Sequence, residues 1–170
     1  MAKYKDQYRI ETTRLKHWDY RNGAYYYITI LAKDRINYFG VVKDGEVKLN
    51  AYGKIVADEW LKTKEIRKNV DLDEWIIMPN HLHGILIIDS DKFYADVNDN
   101  SFKLLPNSLG SIIGQFKSIV TKRIREIGNV EFSWHPRFYE HIIRSENALF
   151  NIRKYIQLNP LKWELDEYYK

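Results

Sequence analysis

Two histidines, His81 and His83, stand one residue apart within the apolar run IIMPNHLHGILII. Residues two apart on a strand point to the same side of a sheet, so we expect both imidazoles on one face. Strand register also places Ile85 and Ile87 there, and an unpaired polar ring is costly to bury in such a layer. A cation, a hydrogen-bond partner or solvent must therefore satisfy the pair. A metal site and a pair of partly exposed histidines that cap a hairpin both fit the pattern.

A tyrosine and an asparagine near the C-terminus have the spacing of one helical face. Tyr155 and Asn159 are four residues apart in NIRKYIQLNP, and that separation brings side chains together on a helix. They could present a phenol and an amide ligand at one place. Alternatively, Tyr155 packs its ring into the core and Asn159 ends a helix before Pro160. Because a residue before proline is disfavoured in helical geometry, the alignment of Asn159 stays open.

A second tyrosine is a rival nucleophile. Tyr139 and His141 are two apart in PRFYEHIIR, which predicts a strand with both side chains on one face. Tyr139 lacks the candidate ligand that Asn159 supplies to Tyr155. We therefore favour Tyr155.

Apolar periodicity predicts the strands and helices that must position these residues. Strands are expected in AYYYITILAK, DEWIIMPN, HLHGILIID and PRFYEHIIR, and YFGVVKDGEVKLN predicts a hairpin appended to the main sheet, with Asp44 and Gly45 at its turn. Helices are expected in NAYGKIVADEWLKTKEIRKN, in the segment capped by Ser108, and in SENALFNIRKYIQLNP, capped by Ser145. The polar stretch SDKFYADVNDNSFKLLPN has no clear period and predicts a surface loop.

The order of these elements is strand, helix, two strands, helix, strand, helix. It favours an α+β fold, with a ferredoxin-like (split βαβ) antiparallel sheet, packed helices, the added hairpin and a C-terminal helix carrying the tyrosine.

Length and composition limit the class of protein. The 170 residues fit a single domain, with a basic N-terminal arm over about residues 1–22. The absence of cysteine excludes disulfides, thiolate zinc sites and cysteine nucleophiles. A polar start and the lack of an apolar run of roughly 20 residues predict a cytoplasmic protein without a membrane partner. A net charge of +4 and 15% aromatic residues suit the phosphates and bases of nucleic acid.

Basic residues mark candidate DNA contacts, although each could also belong to a merely solvated surface. One group lies in the second long helix. Another, near the N-terminus, mixes arginine and lysine with His17 and Trp18, a composition suited to gripping a hairpin or a single strand. The candidates are Arg14, Lys16, Lys117, Lys122, Arg123, Arg125, Arg153 and Lys154.

Four motifs, MPNHLHG, IGQFKS, WHPRFYEHIIR and YIQLNPLKW, occur in an order that resembles the single-tyrosine HUH transposases of insertion sequences. The resemblance is closest to the REP-associated tyrosine transposases and covers nearly the whole chain, from RLKHWDY to WELDEY. It implies one HUH transposase-like domain over residues 1–170. It also implies a metal-dependent DNA endonuclease and strand transferase acting on single-stranded or hairpin DNA.

The resemblance also implies a role for each candidate residue. His81 and His83 correspond to metal ligands, Tyr155 to the nucleophile and Asn159 to the third ligand, where many mobile members have glutamine. Mg²⁺ or Mn²⁺ is the expected cofactor, and imidazole is more at home with Mn²⁺. Tyrosine ionises near pH ~10 and needs activation by the metal, a base or water. Its attack would leave a 5′-phosphotyrosine and a free 3′ hydroxyl, so that rejoining needs no ATP.

Two other functions stay open. One is a DNA hairpin-binding module on the same scaffold that does not cut, and the other is a metal-dependent hydrolase that uses water. Monomer and homodimer are both open as well, because insertion-sequence relatives share the tyrosine helix between subunits whereas REP-associated members can act as monomers.

Overall fold

The computed structural model of the chain describes residues 3–4, 7–8, 24–89 and 108–170. Its strands are β1 (Lys3–Tyr4), β2 (Gln7–Tyr8), β3 (Ala24–Leu31), β4 (Gly40–Lys43), β5 (Glu46–Leu49), β6 (Val70–Ile77), β7 (His81–Ile88) and β8 (Tyr139–Ile143). Its α-helices are α1 (Ala51–Glu65), α2 (Leu109–Glu126) and α3 (Glu146–Leu158), with 3₁₀ turns at Lys33–Arg35 and Pro160–Leu165. The predicted loop at 90–107 and the predicted DNA contacts Arg14 and Lys16 lie outside the described residues.

The main sheet has four strands in the order β6, β7, β3, β8, and each neighbouring pair is antiparallel. Helix α1 connects β3 to β6, α2 precedes β8, and α3 follows it. The predicted α+β, ferredoxin-like arrangement with an added C-terminal helix is therefore confirmed. No helix within the described residues is both long and apolar enough to cross a membrane.

One face of the sheet packs against α1 and α2. Tyr26, Ile28 and Ile30 of β3 are completely buried there, as the alternating pattern predicts. The two helices meet over this face through Trp60 and Phe116, whose ring centroids lie 5.4 Å apart. This face holds the larger core.

The opposite face carries the histidine pair and is covered by α3. On β3, Tyr27 and Thr29 pair in register with Ile85 and His83 of β7. Ile85 is buried together with Ile156 of α3 in a second, smaller core. Because strand register fixes which side each residue faces, the sheet separates the histidines from α1 and α2.

The helix starts follow the predicted caps. The Ser108 hydroxyl accepts a hydrogen bond of 3.3 Å from the backbone N–H of Ser111, and the Ser145 hydroxyl accepts one of 3.2 Å from that of Ala148. Such bonds satisfy N–H groups that have no partner inside the helix. Ser145 thereby sets the start of the helix that carries Tyr155.

The predicted hairpin forms with Asp44 and Gly45 at its turn, both with positive φ, of 55° and 73°. It is a separate two-stranded sheet, β4 with β5, rather than an extension of the main sheet. A Cβ on Gly45 would lie 2.5 Å from the Leu161 side chain. The hairpin tip therefore packs against the 3₁₀ turn that follows α3.

Candidate active site

His81 and His83 lie side by side on β7, with ring centroids 4.3 Å apart. They are 0% and 1% exposed, so the alternative of partly exposed histidines at a hairpin end is wrong. Burial lowers the pKa of His83 to about 4 and lowers that of His81 well below its ordinary value. Both rings are therefore neutral at pH ~7, which is the form that binds a metal.

In each imidazole one ring nitrogen has a hydrogen-bond partner and the other has none. His81 Nδ1 lies 2.8 Å from Asn80 Oδ1, and His83 Nδ1 lies 2.8 Å from the Tyr27 hydroxyl. Thr29 Oγ1 is also within 2.9 Å of His83 Nδ1. Both Nε2 atoms are buried without a partner. Because a buried, unpaired ring nitrogen is costly, the donor set fits a metal held by the two Nε2 atoms.

Helix α3 brings Tyr155 to the histidines. The Tyr155 and His83 ring centroids are 5.3 Å apart, and the Tyr155 ring is 43% exposed rather than packed in the core. Asn159 keeps a helical backbone, with φ −57° and ψ −42°, although it precedes Pro160, which begins a 3₁₀ turn. Asn159 therefore stays on the Tyr155 face, and its Oδ1 is buried without a partner.

A carboxylate that the sequence analysis missed completes the cluster. Ligand atoms of His81, His83 and Asp166 all lie within 4.8 Å of one another. Asp166 Oδ2 accepts a hydrogen bond of 2.9 Å from Asn159 Nδ2. This group could bind a divalent metal, since imidazole and carboxylate are both common ligands. The nearness of Asp166 arises from the 3₁₀ turn after α3, and no motif in the sequence marks it.

Charge and burial make the Tyr155 phenol difficult to ionise in the metal-free protein. Burial of the ring and then the negative charges of Asp166 and Glu167 raise the pKa of Tyr155 to about 12, while the Asn159 side chain acts in the opposite direction. The phenol is therefore protonated at neutral pH. A cation beside Asp166 would offset one of the charges that hold its proton in place.

The last residues of the chain, 166–170, here named the C-terminal segment, lie over the histidines. The Tyr168 ring centroid is 5.0 Å from that of His81, and the Tyr168 carbonyl accepts a hydrogen bond of 2.8 Å from Asn80 Nδ2. Trp163, in the preceding turn, has its ring 5.9 Å from His81. The C-terminal segment thus covers the site on the His81 side.

A pocket of about 460 Å³ opens beside Tyr155. Its wall includes Asn159 and Asp166 together with two basic residues, Lys154 and Lys162. A lysine in this position can hold a phosphate by charge. Among the predicted DNA contacts within the described residues, Lys154 is the one that lines the Tyr155 pocket.

Three other predicted DNA contacts, Lys117, Lys122 and Arg125, line one open groove of about 810 Å³ on α2, together with Trp134. The Lys117 amine donates a 2.6 Å hydrogen bond to the His135 carbonyl, and burial lowers the pKa of this amine to about 8. Lys122 is mostly exposed, and its amine is 3.9 Å from a carboxylate one helical turn away. The groove places charge where it can meet a phosphate backbone.

The two remaining predicted contacts are already paired with carboxylates. Arg123 binds Asp58 at 2.6 Å and also binds Glu59, which ties α2 to α1. Arg153 donates from Nε to Asp73 at 2.7 Å, which ties α3 to β6. Neither arginine lines the groove or the Tyr155 pocket, and a role for either in DNA binding stays a prediction.

The rival nucleophile Tyr139 lies on β8 opposite Thr29. It is 53% exposed, and its ring centroid is 6.1 Å from that of Tyr27. Among the described residues, Tyr155 rather than Tyr139 has a ring contact with His83. The geometry favours the tyrosine on α3.

No family model matches the chain. A Haemophilus influenzae protein, described as an uncharacterized protein, is 37% identical over 163 residues, which cover 92% of this chain and 91% of that protein. Among solved structures, that of a REP-associated tyrosine transposase bound to a REP hairpin matches with a TM-score of 0.56 and 21% identity. The match covers 98% of this chain and 77% of that one, and at this identity it establishes the fold alone. The chain therefore belongs to one family with the Haemophilus influenzae protein and has the fold of a REP-associated tyrosine transposase, the fold that its motifs led us to expect.

Proposed function

We propose that the protein is a divalent-metal-dependent DNA endonuclease and strand transferase that cleaves single-stranded or hairpin DNA through a 5′-phosphotyrosine intermediate. One observation carries the proposal: ligand atoms of His81, His83 and Asp166 lie within 4.8 Å of one another. The half-exposed Tyr155 has a ring contact with His83, and the Asn159 side chain donates to Asp166. A nucleophile next to a ligand cluster is the arrangement that metal-assisted phosphoryl transfer needs.

The ligands would be Nε2 of His81, Nε2 of His83 and the Asp166 carboxylate. Asn159 would contribute its Oδ1, which is buried without a partner. When bound, Mn²⁺ or Mg²⁺ would draw charge from a phosphate oxygen and stabilise the charge that develops at the scissile phosphorus. Two imidazoles favour Mn²⁺, whereas the carboxylate and amide oxygens also suit Mg²⁺.

Tyr155 supplies the nucleophile. Its phenolic oxygen forms a bond to the scissile phosphorus while the bond between phosphorus and the 3′ oxygen breaks. The phenolic proton leaves to solvent on the exposed side of the ring, and the departing 3′ oxygen takes up a proton to become a hydroxyl. The phosphotyrosine keeps the energy of the broken bond, so attack by a 3′ hydroxyl can rejoin the strand without ATP.

Basic side chains provide a path for the DNA. Lys154, on the wall of the Tyr155 pocket, can hold a phosphate near the scissile bond. Lys122 and Arg125, in the groove on α2, can hold the backbone of a hairpin stem.

The test is covalent capture of DNA. A pool of random single strands and hairpins, labelled at the 3′ end, is incubated with protein and MnCl₂ or MgCl₂ and separated on a denaturing gel. Because tyrosine would join the 5′ phosphate of the downstream fragment, the adduct should retain a 3′ label. We expect an adduct from the wild type and from the matched control Tyr139→Phe, and none from Tyr155→Phe.

The same reactions, run on denaturing and native gels, separate the two other functions. Cleavage that survives Tyr155→Phe would indicate a hydrolase that uses water. If neither metal gives cleavage on the denaturing gel while a native gel of the same samples shows DNA bound to the wild type, the protein is a non-catalytic hairpin-binding module. Loss of the adduct in Tyr139→Phe alone would indicate that Tyr139 on β8 is the nucleophile.

A further inference from the structure

Asn80, the residue before His81, is completely buried, and its side-chain amide has a partner at each end. Nδ2 donates hydrogen bonds to two backbone carbonyls, that of Arg35 at 3.0 Å and that of Tyr168 at 2.8 Å. Oδ1 lies 2.8 Å from His81 Nδ1. A single amide therefore contacts both a candidate metal ligand and the C-terminal segment.

These contacts determine the tautomer of His81. A backbone carbonyl can only accept, so the nitrogen of the Asn80 amide must face Arg35 and Tyr168, and its oxygen must face His81. The amide oxygen also only accepts, so His81 Nδ1 must carry the hydrogen. The lone pair of the ring then lies on Nε2, the atom that has no partner. A metal bound at Nε2 requires this tautomer.

The other end of the amide leads to Asp166. The backbone N–H of Tyr168, whose carbonyl Asn80 holds, donates a hydrogen bond of 2.7 Å to Asp166 Oδ1. A continuous set of hydrogen bonds thus runs from His81 through Asn80 and Tyr168 to the carboxylate that faces the two histidines.

We propose that Asn80 is a positioning residue that selects the metal-binding tautomer of His81 and, at the same time, holds the C-terminal segment so that Asp166 faces the histidines. The proposal rests on the proposed function, in which His81 and Asp166 share a metal. Metal binding and docking of the C-terminal segment are then linked, because each must favour the other by the same free energy.

Three variants separate the two roles of the amide. Asn80→Asp keeps an oxygen that accepts from His81 Nδ1 but removes the donor to Tyr168. Asn80→Ala removes both the acceptor for His81 and the donor to Tyr168. Asn37→Asp is the matched control, because Asn37 Nδ2 donates to the Lys170 carbonyl at 3.2 Å, in the same segment. Asn37 is exposed, and its side chain bonds to Lys170 rather than to His81.

The first measurement needs no metal. Histidine side-chain ¹⁵N NMR of the metal-free protein should show His81 with its hydrogen on Nδ1 in the wild type, in Asn80→Asp and in Asn37→Asp. In Asn80→Ala this preference should be lost. A merely structural role for Asn80 would not produce this pattern, and an Nε2–H tautomer in the wild type would overturn the proposal.

The second measurement follows the C-terminal segment by hydrogen exchange, with and without MnCl₂. In the wild type, MnCl₂ should slow exchange of the backbone N–H groups of residues 166–170. In metal-free Asn80→Asp, the same N–H groups should exchange faster than in the wild type, while His81 keeps its tautomer. Unchanged protection in Asn80→Asp would overturn the proposal, and this variant alone decides the matter if Asn80→Ala does not fold.

Calorimetric titration with MnCl₂ completes the test. Asn80→Ala should bind about 10- to 100-fold more weakly than the wild type, as is usual when a partner of a ligating histidine is removed. Equal affinity would contradict the proposal. If the wild type binds neither Mn²⁺ nor Mg²⁺, the proposed metal site fails, whereas the tautomer and exchange measurements on metal-free protein still decide the role of Asn80.

Discussion

Asn159 Nδ2 donates a hydrogen bond of 2.9 Å to Asp166 Oδ2, so the residue predicted as third metal ligand holds a carboxylate in place beside the histidines. The amide and the carboxylate differ in what they can offer a cation. Asn159 contributes a neutral oxygen, which is buried without a partner, whereas Asp166 contributes a negative charge. Two neutral imidazoles and one carboxylate match the charge of a divalent cation better than imidazoles and an amide alone.

Removal of this charge should weaken metal binding. We expect Asp166→Asn to bind Mn²⁺ at least about 10-fold more weakly than the wild type, equivalent to ~1.4 kcal/mol, because the amide keeps the shape but loses the charge. Calorimetric titration with MnCl₂ measures the difference. Glu167→Gln is the control, since it removes a neighbouring charge that is not in the His-His-Asp cluster. A similar loss in both variants would indicate a general effect of charge rather than ligation.

The same carboxylate should control the ionisation of the candidate nucleophile. In the metal-free protein the pKa of Tyr155 is raised to about 12, first by burial and then by the charges of Asp166 and Glu167. Asp166→Asn should therefore lower this pKa, while burial keeps it above the ordinary value. A pH titration of tyrosine ¹³C NMR signals, with Tyr155→Phe to assign the resonance, measures the change. An unchanged pKa in Asp166→Asn would contradict the electrostatic explanation.

Stability of the metal-free protein should fall as the pH drops below neutral. The pKa of His83 is lowered to about 4, and that of His81 is lowered as well. An unfolded histidine has a pKa of about 6.5, so between this value and the folded one the unfolded state takes up protons that the folded state cannot. The contribution of the buried histidines to the free energy of unfolding is therefore complete above the unfolded pKa. It decreases as the pH falls towards the folded pKa, where the loss reaches ~3 kcal/mol for His83 alone.

Urea unfolding in EDTA, at about pH 7 and about pH 5, measures this loss. His83→Gln should have a shallower dependence on pH than the wild type. His135→Gln, which removes an exposed histidine in a loop, should keep the wild-type dependence. If both variants keep the wild-type pH dependence of stability, burial of the histidine pair does not cause that dependence.

Two adjacent basic residues on α2 should behave differently. Lys122 lines the open groove, so Lys122→Ala should weaken binding to hairpin DNA and reduce the salt slope by about 1. Arg123 is paired with Asp58 and Glu59 of α1, so Arg123→Ala should lower stability by about 1 kcal/mol and leave the salt slope nearly unchanged. Fluorescence anisotropy over a range of salt concentrations, together with urea unfolding, distinguishes them. Equal salt slopes for the two variants would contradict a role of the α2 groove in DNA binding.

Much of the fold could be predicted because the relevant patterns are local. The alternation in AYYYITILAK puts Tyr26 and Ile28 on one face and Tyr27 on the other, and the structure buries the first of these faces in the larger core. Ser108 and Ser145 marked helix starts, since a cap acts on N–H groups within one turn. Element order then led to the ferredoxin-like sheet.

The sequence by itself determined which chemical groups share a face: His81 with His83 through the repeat of a strand, and Tyr155 with Asn159 through the repeat of a helix. Only the tertiary structure decided that the histidines are buried and that Asp166 lies beside them. It also decided that the Asn80 amide contacts both His81 and the C-terminal segment. The reason is physical. Backbone periodicity depends on dihedral angles of neighbouring residues, whereas desolvation and ligand geometry depend on α3 and the C-terminal segment packing over a strand that is distant in the chain.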